Sequence, residues 1–223
     1  MSWMITAIGL EYHFTGAPAA TAAGRPVALK DIAHQLALIN RFHGATNRPY
    51  SVAEHSLLVA EIARRAGATP IVQLAALMHD AHEAYCNDLA SPVKAAVNSH
   101  GLGHTTPWAA FERDHALTVL RSFGLLTAYQ AHRADIHHWD LIALATERRD
   151  LTAWDARRHQ PWAVLRDGQP DAIEPADWVD LNDRSRTEFT WEFWRRDFIN
   201  CTNALQFEVR YAQGSATEGS QPS

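Results

Sequence analysis

The sequence has little cysteine, no long hydrophobic run and no excess of positive charge. Only two cysteines occur among its 223 residues, Cys86 and Cys201, too few for a disulfide framework or a zinc site built from cysteines. No apolar stretch approaches the roughly 18 residues that a membrane helix needs. The chain starts without a basic segment ahead of an apolar core, so we read no export signal. These absences predict a protein of the reducing cytoplasm that does not associate with a membrane.

The charge balance excludes one further class of protein. Lys and Arg number 20 and Asp and Glu 25, which leaves a formal net charge of −5. Because proteins that coat a nucleic-acid polymer rely on an excess of cations, we expect no polymer partner. Histidine is frequent instead: 13 histidines occur beside 3 Met and 5 Tyr. Histidine is the commonest metal ligand in proteins, so some of these residues are candidates for a metal site.

Apolar periodicity and turn signals predict an all-α fold. We divide the chain into a short extended N-terminal arm and loop (1–28), one helical domain (29–212) and a disordered tail (213–223). Ser51 and Glu54 form a capping box ahead of the second helix, and Gly67 follows its end. We expect the second, third and fifth helices to form the core and residues 98–107 and 153–182 to be irregular. The predicted helices span 29–41, 52–66, 70–86, 108–123, 128–152 and 187–205.

Three of these helices place metal-ligating side chains among apolar residues. His55 lies on the inward stripe of its helix, His79 and Asp80 follow the apolar run that ends at Met78, and Asp140 lies between apolar residues of the fifth helix. A buried carboxylate must be neutralised, paired or bound to a cation. Two imidazoles and two carboxylates suit one divalent ion: Mn²⁺, Co²⁺, Mg²⁺, Zn²⁺ or Fe²⁺. The alternatives are a hydrogen-bonded core histidine and acids that are solvated where a helix reaches the surface.

Neighbouring polar residues are weaker candidates. Glu83 lies one helical turn after His79 and faces the same point. His137 lies one turn before Asp140 and could touch a substrate phosphate, although a structural role is the alternative. Asp135 is a rival to Asp140 as ligand but lacks apolar neighbours. We expect His82 to lie behind the ligands or at the surface and Cys86 to be an inert buried thiol.

Three segments carry a resemblance to a known family: SVAEHSLLVA, ALMHDAHEAYCNDLASPVK and WDLIALATERRDL. Their order and spacing resemble the successive motifs of the HD superfamily of metal-dependent phosphohydrolases, over about residues 29–150. The resemblance implies an HD-domain helical bundle in which His55, His79, Asp80 and Asp140 bind one divalent metal ion.

Within that superfamily the sequence is most similar to the bacterial 5′-deoxynucleotidases, which remove phosphate from deoxynucleoside 5′-monophosphates. The similarity implies Glu83 and Asp88 as catalytic carboxylates and Arg41 as a phosphate or sugar contact. Phe42 stands where the family typically has a tryptophan that crowds out a ribose 2′-hydroxyl. Related compact HD nucleotidases form dimers, which implies a homodimer or higher homo-oligomer here.

The chemistry of phosphoryl transfer suggests roles for these groups. Because catalysis depends on positioning and electrostatics, cations must meet the phosphoryl charge, and Arg41, Arg48 and Lys94 are the candidates. A metal ion activates water and polarises the phosphoryl oxygen. Glu83 can orient or deprotonate that water, and Asp88 can position it or protonate the leaving oxygen.

Four alternative functions use the same helices. A dNTP triphosphohydrolase would release triphosphate from a dNTP such as dATP with the same ligands. A cyclic-nucleotide or ppGpp hydrolase fits the motifs but not the short chain. A nucleotide-sensing HD module would bind without turnover, although no ligand type is missing. An oxygen-activating di-iron enzyme would need additional histidine ligands, for which His82 and His137 are available.

Overall fold

A computed structural model describes residues 2–15, 26–100 and 106–218 of the chain. This part is mostly helical, with one two-stranded sheet near the amino terminus, so the all-α class is confirmed. None of its helices combines the length and apolar character that a bilayer crossing requires. The loop expected at 98–107 and the tail expected at 213–223 fall partly outside the described residues.

The predicted N-terminal arm is a β-hairpin that is anchored to the helical body. Strands β1 (Trp3–Ile5) and β2 (Glu11–His13) pair antiparallel, with Met4 opposite Tyr12. Tyr12 is fully buried, and its ring stacks on Tyr85 with centroids 3.9 Å apart. Burial of an aromatic ring holds this arm against the domain.

Ten α-helices follow in the described part of the chain. Short 3₁₀ turns cover Arg41–Gly44 and Ala163–Leu165 within the connections. The helices are α1 (Leu29–Leu38), α2 (Val52–Arg65), α3 (Pro70–Leu77), α4 (Glu83–Cys86), α5 (Ser91–Ser99), α6 (Pro107–Ser122), α7 (Leu126–Ala131), α8 (Arg133–Leu151), α9 (Arg184–Thr187) and α10 (Trp191–Glu218).

Helix α2 begins at the predicted cap, but only half of the capping box forms. The Ser51 hydroxyl accepts a hydrogen bond from the Glu54 N–H at 3.2 Å. The buried Glu54 carboxylate turns away and accepts two bonds from Arg48, at 2.7 and 2.9 Å, and one from Arg186 at 3.0 Å. Arg48 also donates to the Leu181 carbonyl. Its guanidinium is therefore used by the fold, which corrects the prediction that Arg48 contacts substrate.

The helix predicted over 70–86 is interrupted at the segment that carries the His-Asp pair. Helix α3 ends at Leu77, a tight turn covers 78–82, and α4 begins at Glu83. The Ala76 carbonyl, which a continuous helix would pair with the N–H of Asp80, accepts the Nδ1–H of His79 at 2.8 Å. The His79 side chain thus occupies the Ala76 carbonyl oxygen, which the α-helix would need as an acceptor in order to continue.

Three further boundaries differ from the prediction. The helix expected over 128–152 is two helices, because the backbone leaves the helical region at His132. Residues 91–99, which lie outside the predicted helices, form α5; it starts at Ser91-Pro92, since proline is tolerated in a first helical turn. Helix α10 starts later than predicted and continues to Glu218, so the backbone of 213–218 is helical.

Helices α2 and α3 form the centre of the fold. They pack against each other, α8 packs on α2, and α10 packs on both α1 and α3. The predicted core of second, third and fifth helices is confirmed, and α10 is an addition to it. One apolar cluster joins Ile32, Leu77 and Phe198, and another joins Val59 and Ile136. The His-Asp turn lies at the end of α3, where α2 and α8 are close.

We expect α10 to stabilise the fold mainly through its amino-terminal part, up to Leu205. Phe198 is fully buried in the first apolar cluster, whereas Phe207 on the same helix is 69% exposed. Phe198→Ala should lower the free energy of unfolding by about 3–5 kcal/mol, because it removes a buried ring. Phe207→Ala should change it by less than about 0.5 kcal/mol. Urea denaturation of the two variants compares the sites, and equal losses would contradict the assigned packing of α10.

Candidate metal centre

Four side chains from three parts of the fold converge on one small volume. The Nε2 atoms of His55 and His79 lie 3.4 Å apart. Asp80 Oδ2 lies 3.5 Å from the first and 3.1 Å from the second. Asp140 Oδ1 lies 3.2 and 3.8 Å from the same two atoms. The structure therefore brings together all four predicted ligands, from α2, the turn after α3, and α8.

Burial differs between the two kinds of ligand. The His55 and His79 side chains are almost wholly enclosed, at 0% and 7% exposure. The carboxylates of Asp80 and Asp140 are 19% and 29% exposed. The cluster is thus closed on its imidazole side and open on its carboxylate side, where a substrate could approach.

The second nitrogen of each imidazole is held by a hydrogen bond to the surrounding fold. His55 Nδ1 donates to Glu147 Oε1 at 2.6 Å, and His79 Nδ1 donates to the Ala76 carbonyl at 2.8 Å. Because these partners accept hydrogen bonds, they assign the proton of each neutral ring to Nδ1. Both Nε2 lone pairs then face the cluster. Such an outer partner for each imidazole is typical of metal-binding histidines.

The charges of the cluster favour a cation at its centre. Burial disfavours the charged form of both imidazoles, but the neighbouring carboxylates outweigh it and raise the pKa of His55 and His79, the latter to about 10. Burial alone would raise the pKa of Asp80 and Asp140, yet hydrogen bonds and charge from the imidazoles lower both. The carboxylates are stabilised by positive charge nearby, which protons on the imidazoles supply here and which a divalent ion would supply in their place.

The donor set fits a divalent metal ion. His55, His79 and Asp80 form a group that could hold one, and Asp140 adds a carboxylate oxygen near both imidazoles. Imidazole nitrogen combined with carboxylate oxygen suits Mn²⁺, Co²⁺, Fe²⁺, Zn²⁺ or Mg²⁺.

In a second group of potential metal ligands, the negative charge is already neutralised by a lysine. His82, Glu83 and Glu112 are also close enough to hold a metal ion. The Lys94 ammonium lies 2.6 Å from Glu112 Oε1 and 3.6 Å from Glu83 Oε1, which raises the pKa of Lys94 against the effect of burial. Lys94 therefore neutralises two carboxylates, which corrects its predicted role as a free phosphate contact.

Glu147 is the main residue of the site that sequence analysis missed. It is fully buried; its Oε1 accepts from His55, and its Oε2 accepts from Arg41 Nη2 and Nε at 3.0 and 3.2 Å. Burial would raise its pKa, but Arg41 and His55 outweigh burial and lower it. The available signal was its spacing: Glu147 follows Asp140 by two helical turns and so lies on the same face of α8.

Arg41 lies beside the candidate ligands, and the backbone that follows it is strained. Its Nη1 lies 3.7 Å from Asp80 Oδ2. Phe42 and His43 have positive φ values of 56° and 52°, a conformation that costs about 1–2 kcal/mol per non-glycine residue. The Phe42 ring faces Trp162, with centroids 6.3 Å apart. The Phe42 ring thus lies between Trp162 and the Arg41 guanidinium, whose Cζ is 5.6 Å from the Phe42 ring centroid, and Arg41 reaches the cluster.

The two predicted catalytic carboxylates are buried close to the ligands. Burial first, then the charges of Asp80 and Asp88, raise the pKa of Glu83. Burial also raises the pKa of Asp88; the charge of Arg41 lowers this pKa, and the charge of Asp80 raises it further. Glu83 Oε2 has no hydrogen-bond partner among the described residues. A carboxyl group with a raised pKa is suited to proton transfer nearer neutral pH.

The backbone before Asp88 is also strained. Asn87 has φ 70° and ψ 157°, a region that is otherwise almost restricted to glycine. Its Oδ1 accepts from the Asp88 N–H at 3.0 Å. As at Phe42, the strain lies next to a residue of the candidate site.

The surroundings of three remaining candidates, His82, Asp135 and Cys86, show where each lies relative to the site. His82 is buried and lies behind the site, with Nε2 3.6 Å from Glu112. Asp135 is exposed and pairs with His132 at 3.1 Å, so it does not join the ligand set. Burial and the charge of Glu83 raise the pKa of Cys86, as expected for an inert thiol.

A cavity of about 630 Å³ opens beside His79, Asp80 and Asp140. Its other walls include Tyr129 of α7 and the exposed side chains of Arg133 and His137 of α8. This volume lies in the range of small-molecule sites. His137 lines this cavity and is exposed, so it lies at a position from which it can contact a bound molecule.

Comparison with known proteins gives relatives without an assigned activity. No family model matches the sequence. The chain is 34% identical over 139 residues to uncharacterized protein YfdR of Escherichia coli K12, in an alignment that covers 62% of this chain and 67% of YfdR. It is 49% identical over 75 residues to uncharacterized protein RCAP_rcc00048 of Rhodobacter capsulatus, covering 32% of this chain and 38% of that protein. From the first alignment, the chain belongs to the same protein family as YfdR.

Proposed function

We propose that the chain is a cytoplasmic, metal-dependent phosphohydrolase of the HD type that releases phosphate from deoxynucleoside 5′-monophosphates. One observation carries the proposal. Two imidazole Nε2 atoms and two carboxylates converge beside an open cavity, while both Nδ1 atoms are occupied by the fold. This is the arrangement of a metal site that leaves room for water and substrate.

The residues around the ligands supply the other requirements of phosphoester hydrolysis. A divalent ion held by His55, His79, Asp80 and Asp140 supplies Lewis-acid activation of water and of the phosphoryl group. Glu83 Oε2 is free to accept the proton of the attacking water. Asp88, whose pKa is raised by burial, delivers a proton to the leaving oxygen. Arg41 Nη1 is left to contact the substrate beside Asp80.

A panel of nucleotides tests the reaction. We expect the protein with Mn²⁺, Co²⁺ or Mg²⁺ to release orthophosphate from deoxynucleoside 5′-monophosphates. Glu83→Gln and Asp88→Asn should keep their metal content and lose about 10²–10⁴-fold in turnover, because each removes a proton-transfer group. Triphosphate released from dATP would instead identify a dNTP triphosphohydrolase. Bound metal with no turnover on any nucleotide would identify a sensing module, and two irons per chain a di-iron enzyme.

The ligand role of Asp140 can be tested against a neighbour on the same helix. Asp140→Asn should lower metal content and abolish turnover, because it removes an anionic oxygen from the cluster. Asp135→Asn is the matched control, since Asp135 is exposed and pairs with His132. Elemental analysis of the purified variants gives metal per chain. Equal metal content in both variants would remove Asp140 from the ligand set.

The role of Glu147 predicts a loss of affinity without a loss of any ligand. Glu147→Gln should weaken metal binding by about 10–100-fold, because a neutral amide supports the His55 imidazole less than a carboxylate does. Glu188→Gln, at an exposed acid, is the control. Competition against a metallochromic chelator measures both affinities, with circular dichroism to verify folding. An unchanged affinity in folded Glu147→Gln would show that this contact is structural only.

A further inference from the structure

The three cations that the sequence predicts as phosphate contacts are mostly paired with carboxylates of the protein itself. Arg48 binds the buried Glu54, and Lys94 lies between Glu83 and Glu112. Arg41 gives two of its three guanidinium nitrogens to Glu147, which leaves only Nη1 towards Asp80. Beside the proposed metal ion, Arg41 thus offers one guanidinium nitrogen to a phosphoryl dianion, whose transfer depends on close electrostatic stabilisation.

The cavity beside the candidate ligands is also lined by a cation, Arg133, that is not paired with a carboxylate of the described residues. Arg133 is the first residue of α8, and it lines the cavity together with His137 and Asp140. These three residues are spaced by one helical turn each, so they share one face of α8. Asp135, the nearest acid in sequence, pairs with His132. No carboxylate lies within 4.0 Å of the Arg133 guanidinium in the described part of the chain.

The electrostatic surroundings of Tyr129 place Arg133 and the candidate ligands around the same cavity. Burial, and then the charge of Asp80, raise the pKa of the Tyr129 phenol. Arg133 opposes this shift, and Asp140 adds to it. The Tyr129 phenol is therefore within electrostatic range of Asp80, Asp140 and Arg133.

We propose that Arg133, assisted by His137, binds the phosphoryl group of the substrate within the cavity that the candidate metal ligands also line. The inference rests on the proposed function for the identity of the ligand, a phosphate monoester. A guanidinium presents two parallel N–H donors that match two phosphate oxygens, and the pairing is charge-assisted. Arg133 is solvent-exposed and has no ion-pair partner among the described residues, so binding need not break an existing pair there.

Inorganic phosphate is the direct probe of this site. Equilibrium dialysis with labelled phosphate, on protein kept in micromolar Mn²⁺, gives the dissociation constant independently of turnover. Arg133→Gln should weaken phosphate binding about tenfold, because it removes one charge-assisted contact at a partly solvated site. Arg133→Lys should recover part of the affinity, since it restores the charge but not the two-pronged donor. Arg157→Gln, at an exposed arginine outside the cavity, should bind phosphate as the parent does.

A second arm uses dAMP and separates the inference from the proposed function. In this arm Arg133→Gln should raise KM more than it lowers kcat, with metal content unchanged. An unchanged phosphate affinity in Arg133→Gln, or no phosphate binding by the parent protein, would overturn the inference. Hydrolysis of dAMP with an unaffected Arg133→Gln variant would overturn the inference and keep the function. Weakened phosphate binding in a protein that hydrolyses no nucleotide would support the inference and remove the function.

Discussion

The arrangement of the site depends on one buried carboxylate that is shared between an imidazole and a guanidinium. Glu147 is fully enclosed, and an isolated buried carboxylate is too costly to remain charged without partners. One oxygen holds the Nδ1–H of His55 and the other holds Arg41. The first bond fixes which nitrogen of His55 faces the cluster. The second fixes where Arg41 stands relative to Asp80. A single residue of α8 thus orients groups contributed by α2 and by the turn that follows α1.

Around this carboxylate, the fold separates two kinds of charged group. Cations that meet a buried carboxylate at close range, such as Arg48 and Lys94, are parts of the framework. Charged groups that line the open cavity, such as Arg133 and Asp140, remain accessible to a bound molecule. The distinction follows from tertiary contacts, because the buried carboxylate of Glu54 or Glu83 must pair with whatever cation lies nearest.

The sequence predicted the four converging ligands because each stood out against a regular pattern. An apolar stripe with one histidine, or an acid after an apolar run, is visible in one dimension. The break after α3 was not visible, because it arises when the His79 side chain takes the Ala76 carbonyl. The roles of Arg48 and Lys94 were misassigned because their partners lie on other segments of the chain. Helix α5 was missed because Ser91-Pro92 starts a helix as readily as it ends one.

The candidate ligands lie far apart in the chain, and this distance has a consequence for folding. His55 and Asp140 belong to α2 and α8, which are separated along the described chain by five other helices. Contacts of such long range form late, because loop closure must be achieved before they contribute. A metal ion bound by all four groups would therefore take no part in the nucleation of the domain. Once bound, it would stabilise the native state by mass action and so oppose unfolding.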